Sequence, residues 1–323
     1  MKTIHDFPRV PLCAGPTPLQ FLPNLSRKYG KGIYIKRDDM TGVGLGGNKV
    51  RKLEFLLADA KAKGADVVFT TGGAQSNHAM LTAACCGKLG MKTVLFLKER
   101  GVTEEKGNLL LDRLLGAEVR FVDTDDYETV YAEMDRLAEE LRARGRVPYA
   151  IPLGGSTALG ALGYVAAMEE AYRQGTELGV RFDHTVCVCG SGGTAAGVAL
   201  GTYLCSPATK VTAVAVDDAP FGEIVEDLMA GALALLERSG EAAPLPEIRY
   251  HVGAGYGIPG PEVTAAVEEL ARLEGIFLDP VYTGKAFAET LSLLREGDFE
   301  GENLLFLHSG GAGGLFAVDL PAK

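Results

Sequence analysis

The 323-residue chain lacks the marks of several whole classes of protein. No apolar run approaches the length that crosses a bilayer. The opening "MKTIHDFPRV" has no apolar core of the kind that leads a secreted chain, so a cytoplasmic protein is expected. Positive charge is in deficit: the net charge is −10 and the pI is near 5.1. That argues against nucleic-acid binding, which calls for a basic face. The six cysteines contain no C-x-x-C pair, which removes support for zinc or thioredoxin-like chemistry. The five histidines show no metal-ligand spacing and no H-E-x-x-H, so no metal is expected. No G-x-S-x-G elbow is found, which argues against a serine hydrolase. No repeat of fixed period stands out.

What remains is an ordinary globular composition, 47% hydrophobic and 23% charged, with length for about two domains. Short apolar runs alternate with helical patterns. Strands are expected at 32–37, 66–71, 92–98, 118–122, 148–152, 185–190, 210–216 and 303–308. Helical faces run through Val130, Met134, Leu137 and Leu141, and through Val263, Val267 and Leu270. Such alternation predicts α/β architecture with parallel sheets covered by helices. Residues 239–247, "SGEAAPLPE", read as a surface loop. Cys85 and Cys86 lie in an apolar helix pattern, and Cys187 and Cys189 in a buried strand. With Cys13 and Cys205 they are expected to be buried, reduced thiols.

Open parallel sheets bind ligands at the carboxyl ends of their strands. Four turns following strands are rich in Gly, Ser, Thr and Asn: 71–77 "TGGAQSN", 154–157 "GGST", 190–194 "GSGGT" and 309–314 "SGGAGG". Four together predict a ligand site. In "VCVCGSGGTAAG" a strand runs through Gly190, Ser191, Gly192, Gly193 and Thr194 into an Ala-rich helix. Free amides at the helix start plus two hydroxyls make an anion cradle. The same residues fit G-x-G-x-x-A, with Asp217 placed as a ribose-binding acid would be, so a nicotinamide oxidoreductase is a rival reading. Two hydroxyls suit a terminal monophosphate better than a buried pyrophosphate.

The stretch "GGNKVRKLEF" predicts an amphipathic helix from Lys49, with Asn48 as its N-cap. Lys49, Arg51 and Lys52 crowd its first turn, where the helix dipole disfavours cations. For Lys49 the dipole favours a neutral, nucleophilic amine. Arg51 and Lys52 read as solvated or paired surface cations. A lysine of this kind beside a phosphate cradle is what pyridoxal phosphate needs.

The segments "KRDDMTGVGLGGNKVRKLEF", "TTGGAQSNHA", "PLGGSTALGALGY", "GSGGTAAG", "LDPVYTGKA" and "HSGGAGGLF" resemble the D-cysteine desulfhydrase and 1-aminocyclopropane-1-carboxylate (ACC) deaminase family. The resemblance runs from about residue 8 to residue 317. It implies the tryptophan synthase β-like fold (fold type II): two open, mostly parallel twisted sheets covered by helices. A smaller domain of about 51–160 would be inserted into a larger one of 1–50 plus 161–323. It also implies a homodimer. The family's catalytic set falls on Lys49, Ser76 and Tyr282. Lys49 would hold the cofactor and move the substrate's α-proton. Asn77 would bond the ring hydroxyl, Gly190, Ser191, Gly192, Gly193 and Thr194 the phosphate, and Thr283 would face the pyridine nitrogen. Ser76, Asn77, His78, Gly155 and Tyr256 would line the substrate site.

Substrate choice turns on Thr283. ACC deaminases typically carry Glu there, in "VYEGK", and a carboxylate keeps a proton on the ring nitrogen. A neutral hydroxyl supplies no countercharge, which leaves the nitrogen largely unprotonated. That suffices for β-elimination, so conversion of D-cysteine to pyruvate, sulfide and ammonia is expected. L-Cysteate sulfo-lyase and ACC deaminase activities are the alternatives within the family. The chain departs from the family at Ala79, Met80, Leu81 and Thr82, where many desulfhydrase-like members have an Arg-containing stretch, and at Ser309, where Thr is usual. His78 and His308 are expected to orient or pack, and Asp38 and Asp39 to pair with nearby cations.

Overall fold

The computed structural model describes residues 1–99, 104–124, 126–255 and 257–317. Its strands are β1 (Leu19–Phe21), β2 (Gly32–Arg37), β3 (Val67–Gly73), β4 (Lys92–Lys98), β5 (Glu118–Val122), β6 (Pro148–Ala150), β7 (His184–Cys189), β8 (Lys210–Ala215), β9 (Glu247–Tyr250) and β10 (Asn303–His308). The helices are α1 (Pro23–Tyr29), α2 (Lys49–Ala62), α3 (Asn77–Lys88), α4 (Gly107–Leu114), α5 (Tyr127–Ala143), α6 (Ala158–Glu177), α7 (Gly193–Cys205), α8 (Phe221–Leu235), α9 (Pro261–Glu274), α10 (Thr283–Glu296) and α11 (Ala312–Leu315).

Two sheets form. The larger has the order β1-β2-β10-β7-β8-β9 and the smaller β5-β4-β3-β6. Every pairing is parallel except β1 with β2. All eight expected strands are present. β1 and β9 were not expected: they are edge strands of three and four residues, half exposed, with little apolar pattern to betray them. β9 also takes Glu247 from the stretch read as a loop.

Helices cover both faces of each sheet, and strand alternation decides which. Along β7, Cys187 and Cys189 pack with Tyr164 and Ala161 of α6 and Ala195 and Ala196 of α7. Val186 and Val188 point the other way, against Val263 and Val267 of α9 and Phe287 of α10. In the smaller sheet Val68 meets Leu53 and Leu57 of α2 and Met80 of α3, while Phe69 and Phe96 meet Val130 and Met134 of α5. All six cysteines are free. Cys85, Cys86, Cys187 and Cys189 are buried as expected, but Cys13 is half-buried and Cys205 exposed. The four Gly-rich turns follow β3, β6, β7 and β10, at the carboxyl ends of both sheets.

Candidate active site

α2 begins at Lys49, as its apolar spacing requires. Asn48 is not a side-chain cap. It is already helical (φ −57°, ψ −25°), and its amide donates instead to Thr194 Oγ1 at 2.9 Å. The 46–48 segment is also tied to the turn after β10: Asn48 N donates to the Ser309 carbonyl at 2.9 Å. Lys49 is therefore held between two of the Gly-rich turns.

The three cations of this first turn have three different fates. Lys49 is half-buried, and removal from water pulls its amine down to about 8. Arg51 and Lys52 are not surface cations. Arg51 is 2% exposed and binds both oxygens of Asp38, at 2.7 and 2.8 Å, as well as Glu170. Asp38 also accepts from Thr17 and Tyr164, and Asp39 pairs with Arg37. The carboxylate pair is therefore structural, as the sequence suggested. Lys52 is fully buried, and among the described residues its ammonium meets only the Gly154 carbonyl, at 3.1 Å. Burial, then the neighbouring Lys49, push its pKa well below the ordinary lysine value.

Lys52 points into the turn after β7. Gly192 has φ +84° and opens α7. A Cβ on Gly193 would stand 2.8 Å from both Lys52 Nζ and Ser156 Oγ. Ser156 Oγ lies 2.9 Å from Ser191 Oγ and accepts from Gly193 N at 3.1 Å. Hydroxyls of Ser156, Ser191 and Thr194, the first amides of α7 and a buried amine with no carboxylate partner among the described residues thus gather at the start of α7. This donor set fits a phosphate, which would supply the negative charge that Lys52 lacks.

On the other side, Ser76 caps α3, accepting from Ala79 N at 3.2 Å, and its own hydrogen is left to donate. Asn77 Oδ1 accepts from Asn108 Nδ2 at 2.8 Å, which leaves the Asn77 amide hydrogens for a ligand. Asn108 also bonds the Gln75 backbone and side chain. His78 is buried. Thr70 gives its hydrogen to the Ile151 carbonyl, so it accepts from His78 Nε2 at 2.8 Å. His78 Nδ1 has no hydrogen-bond partner among the described residues. Burial and the nearby Lys49 and Lys52 push the imidazole well below its ordinary pKa, so it is neutral. The position of a Cβ on Gly155 is 3.2 Å from that ring.

Thr283 is buried at the start of α10 and Tyr282, its N-cap position, is half-buried; a Cβ on Gly190 would lie 3.2 Å from the Tyr282 ring. His308 bonds the Phe277 carbonyl and takes a bond from Gly310 N, which pins the last Gly-rich turn. Tyr256 lies outside the described residues. Sequence reasoning missed Ser156, Asn108 and the role of Lys52. For Lys52 a signal existed in the crowding of cations at a helix start. Nothing local marked Asn108, because its partners are about 30 residues away.

A lysine amine pulled down by burial, beside hydroxyls and helix amides at the carboxyl ends of two mostly parallel sheets, is an arrangement that suits a phosphorylated aldehyde. The profile of the family described as "Pyridoxal-phosphate dependent enzyme" matches residues 10–310, and the chain belongs to that family. The match decides for pyridoxal phosphate over nicotinamide as the cofactor. A Pyrococcus horikoshii protein provisionally named a 1-aminocyclopropane-1-carboxylate deaminase is 45% identical over 97% of this chain and 94% of its own length. A D-cysteine desulfhydrase of Klebsiella pneumoniae is 42% identical over 98% of each chain. The crystal structure of an ACC deaminase homologue superposes with TM-score 0.91 at 43% identity, covering 97% of this chain and 94% of that one. The processed form of a threonine deaminase from Solanum lycopersicum shares the fold, with TM-score 0.65 at 18% identity over 96% of this chain and 81% of that one. The protein is a pyridoxal-phosphate-dependent lyase of the ACC deaminase and D-cysteine desulfhydrase group.

Proposed function

We propose that the protein catalyses β-elimination from a small D-amino acid, D-cysteine foremost, giving pyruvate, sulfide and ammonia with uptake of water. The observation that carries this reading is Thr283. Thr283 places a hydroxyl at the start of α10, and in this reading it faces the cofactor's ring nitrogen, where a carboxylate would press directly. Elimination of a good leaving group needs a weaker electron sink than opening a cyclopropane.

In this reading Lys49 Nζ holds the cofactor and then, once freed, removes the substrate's α-proton. Its pKa of about 8 suits a group that must be neutral to accept that proton near neutral pH. Bound pyridoxal phosphate supplies the electron sink for the negative charge left at Cα. Ser76, with the amides of the 75–78 turn, grips the substrate carboxylate at the start of α3, where the helix dipole favours an anion. Asn77 donates to the ring hydroxyl, in an orientation set by Asn108. The Gly190–Thr194 turn, Ser156 and Lys52 hold the phosphate. Tyr282 lies over the cofactor, and His78 and Gly155 shape the far wall. A homodimer forms part of the proposal, and sedimentation velocity tests it.

The deciding assay incubates the purified holoenzyme with D-cysteine, L-cysteine, L-cysteate, D-serine and ACC. Sulfide and pyruvate in equal amounts from D-cysteine are expected. Sulfite from L-cysteate or 2-oxobutanoate from ACC, with no sulfide from D-cysteine, would assign a different substrate.

A further inference from the structure

The Thr283 hydroxyl is not free to choose its hydrogen-bond direction. Its oxygen accepts from Asp279 N at 3.0 Å and stands 2.6 Å from Asp279 Oδ1. A hydroxyl has one hydrogen, and the amide already occupies one lone pair. The hydrogen must therefore go to the carboxylate. Asp279 accepts three more bonds: Val281 N and Tyr282 N on Oδ2 at 2.9 and 2.7 Å, and Thr283 N on Oδ1 at 2.9 Å. Among the described residues four donors face its two oxygens and no acceptor does, so a carboxyl proton would have nowhere to point. Burial pushes the Asp279 pKa up, and these four bonds oppose the rise.

The surroundings keep this carboxylate in place. Asp279 is 1% exposed. The last Gly-rich turn closes over it: Gly311 has φ +108°, and a Cβ there would stand 2.5 Å from Asp279 Oδ1. Position 311 thus requires glycine twice over, for its backbone conformation and for the approach to this oxygen. Two of the turns that build the site meet on Asp279.

What Thr283 can offer a ligand is one lone pair. It can accept from an N–H and cannot donate to a bare nitrogen. We propose that Asp279, acting through the Thr283 hydroxyl, holds a proton on the pyridine nitrogen of the bound cofactor. This rests on the reading above that the nitrogen meets Thr283, and it revises the expectation drawn from Thr283 alone. Asp279 touches neither ring nor substrate and is a positioning residue. Because the countercharge stands one hydrogen bond further off than a directly paired carboxylate would, it holds the proton less firmly. That graded sink is compatible with elimination.

The test uses holoenzyme loaded with cofactor labelled with nitrogen-15 in the ring. The wild-type resonance is expected upfield, in the range of protonated pyridines, and Thr283→Ser should keep it there. Thr283→Val, which leaves the three amide bonds to Asp279 intact, should move it downfield into the unprotonated range. Asp279→Asn should do the same, and if that variant fails to fold, Thr283→Val still decides. An unprotonated resonance in the wild type, or an upfield resonance that survives Thr283→Val, overturns the relay. Sulfide release from D-cysteine is measured on the same wild-type sample. Release with an unprotonated ring would sink the relay and leave the proposed function standing. A protonated ring that needs Thr283, with no release, would do the reverse.

Discussion

The amine of Lys49 is the group on which the proposed chemistry turns, and its titration can be followed without the cofactor. Burial places it at about 8, whereas a lysine in water titrates near 10.4. The difference of roughly 2.4 units corresponds to about 3 kcal/mol of bias against the ammonium. At pH 7 about one Lys49 amine in ten is then neutral, against about one in 2,500 for an ordinary lysine. The sign for stability follows from proton counts. Below about 8 the folded and unfolded apoproteins both carry the proton, and the folded one bears the whole cost. Between about 8 and 10.4 only the unfolded chain holds it, so apoprotein stability rises with pH across that window. Reductive methylation of the apoprotein with formaldehyde reads the neutral fraction directly, with mass spectrometry reporting each lysine. Lys49 labelling should climb tenfold per pH unit from pH 6, bend near 8 and then level off. Exposed lysines should keep climbing to beyond pH 10. If Lys49 follows the exposed lysines, the amine is not desolvated and its proposed role as a base near neutral pH loses its footing.

Lys52→Met should act in opposite directions on the two forms. The apoprotein gains stability by losing a buried amine that has no charge partner among the described residues, while pyridoxal phosphate binds roughly 10- to 100-fold more weakly, as loss of a charged hydrogen bond of about 1.5–3 kcal/mol requires; thermal unfolding and cofactor titration check both. Gly193→Ala should abolish cofactor retention in gel filtration, because the new methyl would sit 2.8 Å from Lys52 Nζ and Ser156 Oγ. Asp112, buried in α4, has no partner for either carboxyl oxygen among the described residues, and burial raises it to about 7. It ionises in the unfolded chain from near pH 4 but stays neutral in the folded one up to about 7, so stability falls as pH rises through that window. At about 1.4 kcal/mol per unit the cost grows from roughly 2 kcal/mol at pH 5.5 to roughly 4 at pH 8. Asp112→Asn should flatten this slope in urea unfolding at fixed protein concentration.

The sequence carried the architecture well because this fold advertises itself locally. Val186 and Val188 alternate with Cys187 and Cys189 because both faces of β7 are covered, and that pattern needs no knowledge of what covers them. The Gly-rich turns were legible for a similar reason: each contains the small residues that its own approach to a ligand demands. Edge strands β1 and β9 were not legible, since a short strand with one neighbour has no need of an apolar face. Long-range partners were hidden altogether. Nothing in "KRDD" says that Asp38 will meet Arg51 and Tyr164, and nothing in "EKGN" says that Asn108 will orient Asn77.

The opening turn of α2 shows what that loss entails. Helix electrostatics alone treat Lys49, Arg51 and Lys52 as three cations in a poor place. The structure resolves each by a different route. Lys49 moves towards neutrality, and Arg51 is neutralised by Asp38 and Glu170. Among the described residues Lys52 has only the Gly154 carbonyl as partner, is likewise pushed well below the ordinary lysine value, and faces the start of α7, where a phosphate would favour its charged form. A dipole argument could find the anomaly but could not sort it, because sorting depends on which loops the fold brings to that turn. The same holds for Thr283. Read by itself it is a neutral hydroxyl. Read with Asp279 four residues earlier, it is the outer end of a buried charge. A residue type therefore identifies what a position can do, and the partner behind it decides which of those things it does.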